Sequence, residues 1–325
     1  MEYIHFFYVI LGIFLLYLGG NYLLKSSVNI AAYFQVPNLL IGVVIVSLST
    51  SAPELFTSLI ASLKGKNEII VSNIIGSNII NMLLALPLTG LFLKIETDYK
   101  RLKFSFIILF LLMSLLLLLS FDFGTLSFFK VPYYRTSALL ILIVFLSYLF
   151  LFYREEKKCN SITKDIENLN CDYGFKFLFL NTLLLLLSIC FLYLGSKLLI
   201  DSSIYVAHNI FNISEKVIGI VFVAFGTSIP EIVVSLFAVI KKESEIALGN
   251  IIGSNIFNIG FILSSNSFVN PVLMSDIYLA DFSIMFAVSL ILLLIVRFRG
   301  FFSRGPSILF LFLYILYNSF LFDVF

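Results

Sequence analysis

Apolar runs of roughly 18–25 residues, broken by short polar stretches, fill nearly the whole chain. That is the length a helix needs to cross a bilayer core. The pattern predicts ten helices, over residues 4–24, 38–63, 67–92, 103–121, 136–153, 175–200, 216–240, 244–264, 277–296 and 305–322. Short alternating segments of the kind that build a membrane β-barrel are not visible. The longest polar stretch runs from about Arg154 to Lys176 and carries Glu155, Glu156, Lys157, Lys158, Lys164, Asp165 and Glu167. It reads as a linker, too short for a folded regulatory domain. It separates a first five-helix unit (1–153) from a second (177–325). The N-terminal run lacks a basic leader and a small-residue cleavage site, so it is expected to be the first membrane helix.

The two halves repeat. Residues 42–81 align with 219–258 at a constant offset of 177 and without a gap, and about half of those positions are identical. Thr50-Ser51-x-Pro53-Glu54 matches Thr227-Ser228-x-Pro230-Glu231. Asn73-Ile-Ile-Gly76-Ser77-Asn78-Ile79-x-Asn81 matches Asn250-Ile-Ile-Gly253-Ser254-Asn255-Ile256-x-Asn258. A unit of five helices ends on the side opposite to its start, so the second copy enters the membrane upside down. Basic residues test the orientation, because cytoplasmic loops collect Lys and Arg. With both termini outside and the linker in the cytoplasm, the inner loops hold fifteen of the 21 lysines and arginines.

Composition narrows the class further. Hydrophobic residues make up 60% of the chain, charged residues only 12%, and the mean hydropathy is +1.07. A soluble domain keeps about a quarter of its residues charged. The net charge of +2 and the lack of a basic cluster give no sign of a nucleic-acid partner. Cys159, Cys171 and Cys190 stand in no metal or redox spacing, and His5 and His208 belong to no motif. No cofactor is expected. A nucleophile–base set or an aspartate pair, which an intramembrane enzyme would need, is not apparent.

Two acidic residues stand out. Glu54 and Glu231 each lie near the middle of an apolar segment, where an ionised side chain costs about 2.5–3.5 kcal/mol or more. No Lys or Arg at matching depth offsets either one, which leaves a proton or a bound cation. Thr50 and Glu54 are four apart and share one helix face, as do Ser77 and Asn81. The second copy repeats both pairs, as Thr227 with Glu231 and Ser254 with Asn258. Together they offer two carboxylates, two amide oxygens and several hydroxyls, the oxygen-rich shell that Ca²⁺ prefers. Pro53 and Pro230 free the carbonyls of Ser49 and Gly226 from the helix ladder. Broken helices at matching places in two repeats mark transporter sites. Each feature has a plainer explanation. A proline kink can be architectural, Gly249-x-x-x-Gly253 and Ser72-x-x-x-Gly76 can serve helix packing, and Ser and Thr often bond back to their own helix. Gly76 and Gly253 would let the third and eighth helices bend or approach a neighbour. Asn78 and Asn255 are read as partners for freed backbone rather than as ligands. Packing alone does not account for two Glu, each after a Pro and one turn beyond a Thr, at one fixed offset.

These segments resemble the α-repeats of the cation/Ca²⁺ exchanger superfamily, and its sodium/calcium exchanger branch in particular. The resemblance rests on Ser49-Thr-Ser-Ala-Pro-Glu54, Gly226-Thr-Ser-Ile-Pro-Glu231 and the two Gly-Ser-Asn-Ile-x-Asn segments. It covers about 80 residues closely. It implies an all-α membrane protein of ten transmembrane helices in two inverted five-helix repeats, exchanging Na⁺ for Ca²⁺ by alternating access. It further implies that Glu54 and Glu231 coordinate Ca²⁺. Thr50, Ser51, Ser77 and Asn81, with Thr227, Ser228, Ser254 and Asn258, would help form overlapping Na⁺ sites. Backbone carbonyls at Ser47 and Ala224 also correspond to ligands. The family's first and sixth helices slide across the core as a gate. Some exchangers carry Asp at one of the positions matching Asn81 and Asn258, whereas both are Asn here. That removes one negative charge and leaves the Na⁺ number and any K⁺ dependence open. The short linker looks prokaryotic, so an inner membrane is the expected location, with Ca²⁺ and Na⁺ as substrates, the lipid bilayer as surroundings, and a monomer as the expected state. The alternative is a Ca²⁺/H⁺ antiporter using the same glutamates. The proton-coupled branch tends to carry Gly-Asn-x-x-Glu, and the equivalent helices here carry Gly-Ser-Asn without the added Glu.

Overall fold

The computed structural model describes residues 2–34, 38–122, 132–160, 174–211, 224–275 and 278–324. It is helical apart from one two-stranded ribbon. In chain order the elements are α1 (Glu2–Phe34), α2 (Ile41–Thr50), α3 (Ala52–Leu63), α4 (Asn67–Phe92), β1 (Ile95–Glu96), α5 (Tyr99–Leu119), α6 (Arg135–Asn160), α7 (Phe175–Phe211), α8 (Ala224–Ile240), α9 (Ser244–Val269), α10 (Leu279–Arg299), β2 (Phe301–Phe302) and α11 (Arg304–Val324). Eight helices among the described residues are long and apolar enough to cross a membrane, and α2 with α3 makes a ninth candidate if the bent pair is one span. The apolar helix α8 is shorter, at 17 residues, and the expected helix start at 216–223 lies outside the described residues.

Several boundaries differ from the sequence expectation. Helices α1 and α7 run to Phe34 and Phe211, well beyond the expected ends at 24 and 200. Polar residues such as Lys25 and Lys197 interrupt the apolar pattern without breaking the backbone ladder, because both are good helix formers. Helix α6 continues to Asn160, so the first residues of the expected linker are helical. The remainder of that stretch, 161–173, lies outside the described residues.

The outside is greasy, and the interior combines a large apolar core with an unusual number of buried polar side chains. Ile10, Phe14, Phe150, Phe175, Phe298 and Ile315 are each more than half exposed. Ser47, Thr50, Glu54, Ser77, Asn81, Thr227, Glu231 and Asn258 are completely buried. In lipid the apolar surface needs no covering, whereas each polar group does. Many-helix burial of the polar residues and the apolar exterior make this a multi-pass membrane protein.

The centre is built from α2, α3, α4, α8 and α9. Helices α2 and α3 meet at a 44° bend. Ser51 sits at the corner with φ −81° and ψ 6°, and Pro53 occupies the first turn of α3, where its missing N–H is tolerated. The second repeat behaves differently. Pro230 lies inside α8, which runs on as a helix on both sides of it. A helix loses one hydrogen bond at a proline and can kink there without ending. Among the described residues a sharp bend is therefore seen in the first repeat, while the second-repeat counterpart of most of α2 lies outside them.

Close backbone contact joins the repeats. Gly42 on α2 lies against Gly249 on α9, and a Cβ added at Gly42 would fall 2.7 Å from the Ile246 carbonyl oxygen. Helices α1 and α7 pack along each other outside this centre, and the Asn29 amide donates to Asn181 Oδ1 at 2.8 Å. Each leans on the core through a tyrosine. Tyr17 of α1 meets Phe237 of α8 edge-on, and Tyr193 of α7 meets Phe56 of α3, both with ring centroids 5.4 Å apart. The ribbon β1–β2, pairing Ile95 with Phe302, ties the end of α4 to the end of α10.

The turn after α3 and the turn after α8 are the same turn built twice. Gly65 has φ +68° and Lys242, 177 residues later, has φ +66°. Left-handed backbone suits glycine and costs a residue with a Cβ about 1 kcal/mol. Lys242→Gly is expected to stabilise the protein by about that amount, measured as a raised unfolding midpoint in detergent.

Candidate cation site

The repeated motifs meet at the centre of the bundle, and each one is completed by the other. Glu54 Oε1 accepts from Ser77 Oγ at 3.4 Å within its own repeat and from Ser228 Oγ at 3.3 Å across the interface. Glu231 Oε1 accepts from Ser254 at 3.3 Å and from Ser51 at 3.0 Å. The pattern is the same with the roles exchanged. Each carboxylate is fully buried and held by serines of both repeats.

The threonines are held in the same crossed way. Thr50 Oγ1 donates to Asn250 Oδ1 at 2.9 Å, and Thr227 Oγ1 donates to Asn73 Oδ1 at 3.0 Å. Thr50 also reaches the Ser47 carbonyl at 3.3 Å, and Thr227 reaches that of Ala224 at 3.2 Å. Ser77 lies 3.4 Å from the Thr227 hydroxyl and 3.5 Å from the Ala224 carbonyl, and Ser254 lies 3.5 Å from Thr50. Ten of the twelve positions singled out in the sequence are joined by these contacts, while Asn81 and Asn258 bond instead to Asn255 and Asn78. Ser49 does not join them, because its hydroxyl bonds back to the Ile45 carbonyl at 2.7 Å.

Asn73 and Asn250 are a part that sequence reasoning missed. Each amide nitrogen donates to the backbone carbonyl of a glutamate, Asn73 to Glu54 at 3.3 Å and Asn250 to Glu231 at 3.4 Å. Each also bonds a serine, Ser58 or Ser235, at 2.9 Å. They fasten the glutamate helix of one repeat to the threonine of the other. The signal was available, since all four residues recur at the offset of 177. It went unused because an asparagine several turns from an acidic residue has no motif meaning until the helices are packed. Asn78 donates to a backbone carbonyl, that of Asn255, at 3.4 Å, as expected, and both Asn78 and Asn255 also serve other side chains. Their side-chain oxygens accept from the amides of Asn258 at 2.8 Å and Asn81 at 3.0 Å.

The remaining polar atoms decide what the cage can do. Glu54 Oε2, Glu231 Oε2, Asn81 Oδ1 and Asn258 Oδ1 are buried and have no hydrogen-bond partner among the described residues. These are two matched pairs, and all four are acceptors. A buried unpaired acceptor costs roughly 1–3 kcal/mol, more if charged, and such groups are rare enough that each calls for an explanation. Hydroxyl donors already occupy the other carboxylate oxygens. A proton or a cation would meet such acceptors. Among the described residues no three His, Cys, Asp or Glu side chains gather. The donor set is therefore two carboxylates and neutral oxygens, suited to hard cations rather than to zinc or copper.

Both Asn81 and Asn258 open a π-helical turn, over Asn81–Ala85 and Asn258–Leu263. Such a turn inserts one residue into the helix, re-aims the side chains that follow, and is frequent at functional sites. It leaves no clear mark on the sequence, because the apolar pattern continues through it.

Comparison with known proteins agrees with this geometry. A family described as sodium/calcium exchanger protein matches residues 4–154 and again 180–322. An uncharacterized membrane protein of Methanocaldococcus jannaschii is 33% identical over 309 residues, covering 95% of both chains. The sodium/calcium exchanger MaX1 of Methanosarcina acetivorans is 29% identical over 360 residues, covering 99% of both. A solved structure of the sodium-calcium exchanger NCX_Mj, soaked with Na⁺ and Sr²⁺, superposes with a TM-score of 0.80 at 30% identity, covering 98% of this chain and 99% of that one.

Proposed function

This chain belongs to the sodium/calcium exchanger family, whose members are transporters rather than enzymes, and on that premise we propose that it exchanges Na⁺ for Ca²⁺ by alternating access. The observation that carries the proposal is the set of four buried, unpartnered oxygens on Glu54, Glu231, Asn81 and Asn258. Two carboxylates balance the charge of one Ca²⁺. Thr50, Ser51, Ser77, Thr227, Ser228 and Ser254 add hydroxyl oxygens, and Ser47 and Ala224 add carbonyls. Na⁺ takes the same kind of oxygen ligand, so sodium ions can fill parts of the cage in place of Ca²⁺. Occupancy by one substrate then expels the other. The cage without either would carry two bare carboxylates through a low-dielectric interior, which is costly. That penalty couples the two fluxes. The names of the two similar exchangers support the same pair of ions.

The reading includes ten spans in two inverted repeats, residues 1–153 and 177–325. The broken pair α2–α3 forms one span, and α8 with residues before it forms another. Both termini lie outside and the 154–176 linker lies inside, supported by the excess of Lys and Arg in the loops assigned to the cytoplasm. Helices α1 and α7, packed on each other and touching the core mainly through side chains, are placed to slide.

Vesicles containing the purified protein are expected to accumulate radiolabelled Ca²⁺ when Na⁺ is loaded inside and diluted outside. Uptake driven by a pH jump without Na⁺ would reassign the chain to proton coupling. A requirement for K⁺ would add a third ion.

A further inference from the structure

We propose that Asn78 is a positioning residue that fixes which end of the Asn258 amide faces the ions. The inference rests on the reading of this cage as a cation site. An asparagine amide has an acceptor oxygen on one side and a two-proton donor on the other. The two ends are nearly equal in size, so packing alone does not choose between them. At a cation site the choice sets the sign of the interaction, because an oxygen attracts the ion and an NH₂ repels it.

Here the choice follows from hydrogen-bond direction, beginning at a backbone carbonyl, which can only accept. Asn78 Nδ2 donates to the Asn255 carbonyl at 3.4 Å. Asn78 Oδ1 is therefore turned the other way, where it meets Asn258 Nδ2 at 2.8 Å. Asn258 spends its NH₂ on Asn78, which leaves its buried Oδ1 on the other side without a hydrogen-bond partner. On the mirror arm Asn81 Nδ2 donates to Asn255 Oδ1 at 3.0 Å and Asn81 Oδ1 has no hydrogen-bond partner, but Asn255 Nδ2 is itself unpartnered, so no carbonyl fixes that arm. Both bonds cross between repeats. All four residues are fully buried, so no solvent competes for the amide protons.

The test separates orientation from plain packing. An aspartate has two equivalent oxygens, and turning it over changes nothing. Asn78→Ala frees the Asn258 amide to present its NH₂. Binding of radiolabelled Ca²⁺ to detergent-purified protein, checked against Ca²⁺-dependent thermal stabilisation, is the readout, and it does not depend on transport. In the natural background Asn78→Ala is expected to weaken Ca²⁺ binding roughly tenfold, the scale of one mis-satisfied buried polar group. In an Asn258→Asp background the same change should cost less than about threefold, so the two changes are non-additive. Equal losses in both backgrounds, or no loss in the natural one, would overturn the proposal. If Asn78→Ala does not fold, Asn78→Ser, too short to reach the Asn258 amide, runs the same comparison with and without Asn258→Asp. A natural protein that binds neither Ca²⁺ nor Na⁺ would instead overturn the site reading, and this inference with it.

Discussion

Replacing either central carboxylate, as Glu54→Gln or Glu231→Gln, is expected to reduce Na⁺-driven Ca²⁺ uptake by roughly 100-fold or more. Each change keeps the side chain's shape and its hydrogen-bonding capacity toward the serines. It removes one of the two charges that neutralise a divalent ion. Breaking one member of a buried charge set costs about 3–5 kcal/mol, and about 2.8 kcal/mol already corresponds to 100-fold in affinity. The effect on stability should run the other way. Glu54 and Glu231 are both fully buried, each held by serines of both repeats. Neutralising one relieves repulsion between them when no cation is present. In a chelator the Gln variants should therefore melt at the same temperature as the natural protein or above it. Added Ca²⁺ should raise the melting point of the natural protein by mass action and leave the variants unmoved. Undiminished uptake in both variants would remove these glutamates from the ion path. A variant that merely misfolds would melt low in chelator, so the two measurements separate loss of a ligand from loss of structure.

The second large effect concerns the seam between repeats. Gly253 of α9 sits so close to α2 that a Cβ placed there would lie 2.7 Å from the Val43 carbonyl oxygen and 2.8 Å from Ser47 Oγ. Real Cβ atoms do not approach backbone oxygen so closely, and a backbone cannot swing aside as a long side chain would. Gly253→Val is expected to cost about 3 kcal/mol by overpacking, seen as reduced recovery of monodisperse protein and an early melt. Protein that does fold should carry a displaced α2, and with it the Ser47 carbonyl and the Thr50 hydroxyl. Its Ca²⁺ affinity should then fall, although no ligand has changed. Gly305→Ala is the control, because nothing lies within 4 Å of a Cβ added at Gly305. Similar losses in both variants would show that the seam has no special role.

The helical architecture was legible because a bilayer imposes simple rules on length and polarity. The candidate site was legible because a duplication writes its motif twice. Glu54 with Thr50 and Glu231 with Thr227 announce themselves by cost, since each is too polar for its surroundings. The positioning residues do not. Asn73 and Asn250 pair with groups about twenty residues away in their own repeat and about 150–200 residues away in the other. Only packed helices bring those groups together. The π turns at Asn81 and Asn258 were invisible for a different reason. One extra residue per turn shifts direction without disturbing a uniformly apolar pattern. Proline misled in the second repeat, where α8 absorbs Pro230 that in the first repeat accompanies a sharp corner.

The crossed bonding at the centre has a bearing on how such a protein can change over generations. Ser51 serves Glu231 and Ser228 serves Glu54, so the duplicated halves trade parts rather than each keeping a complete set. A half-length ancestor would have met its complement in a second copy of itself. Once fused, neither half is free to drift alone, because a substitution in one motif alters the surroundings of the carboxylate in the other.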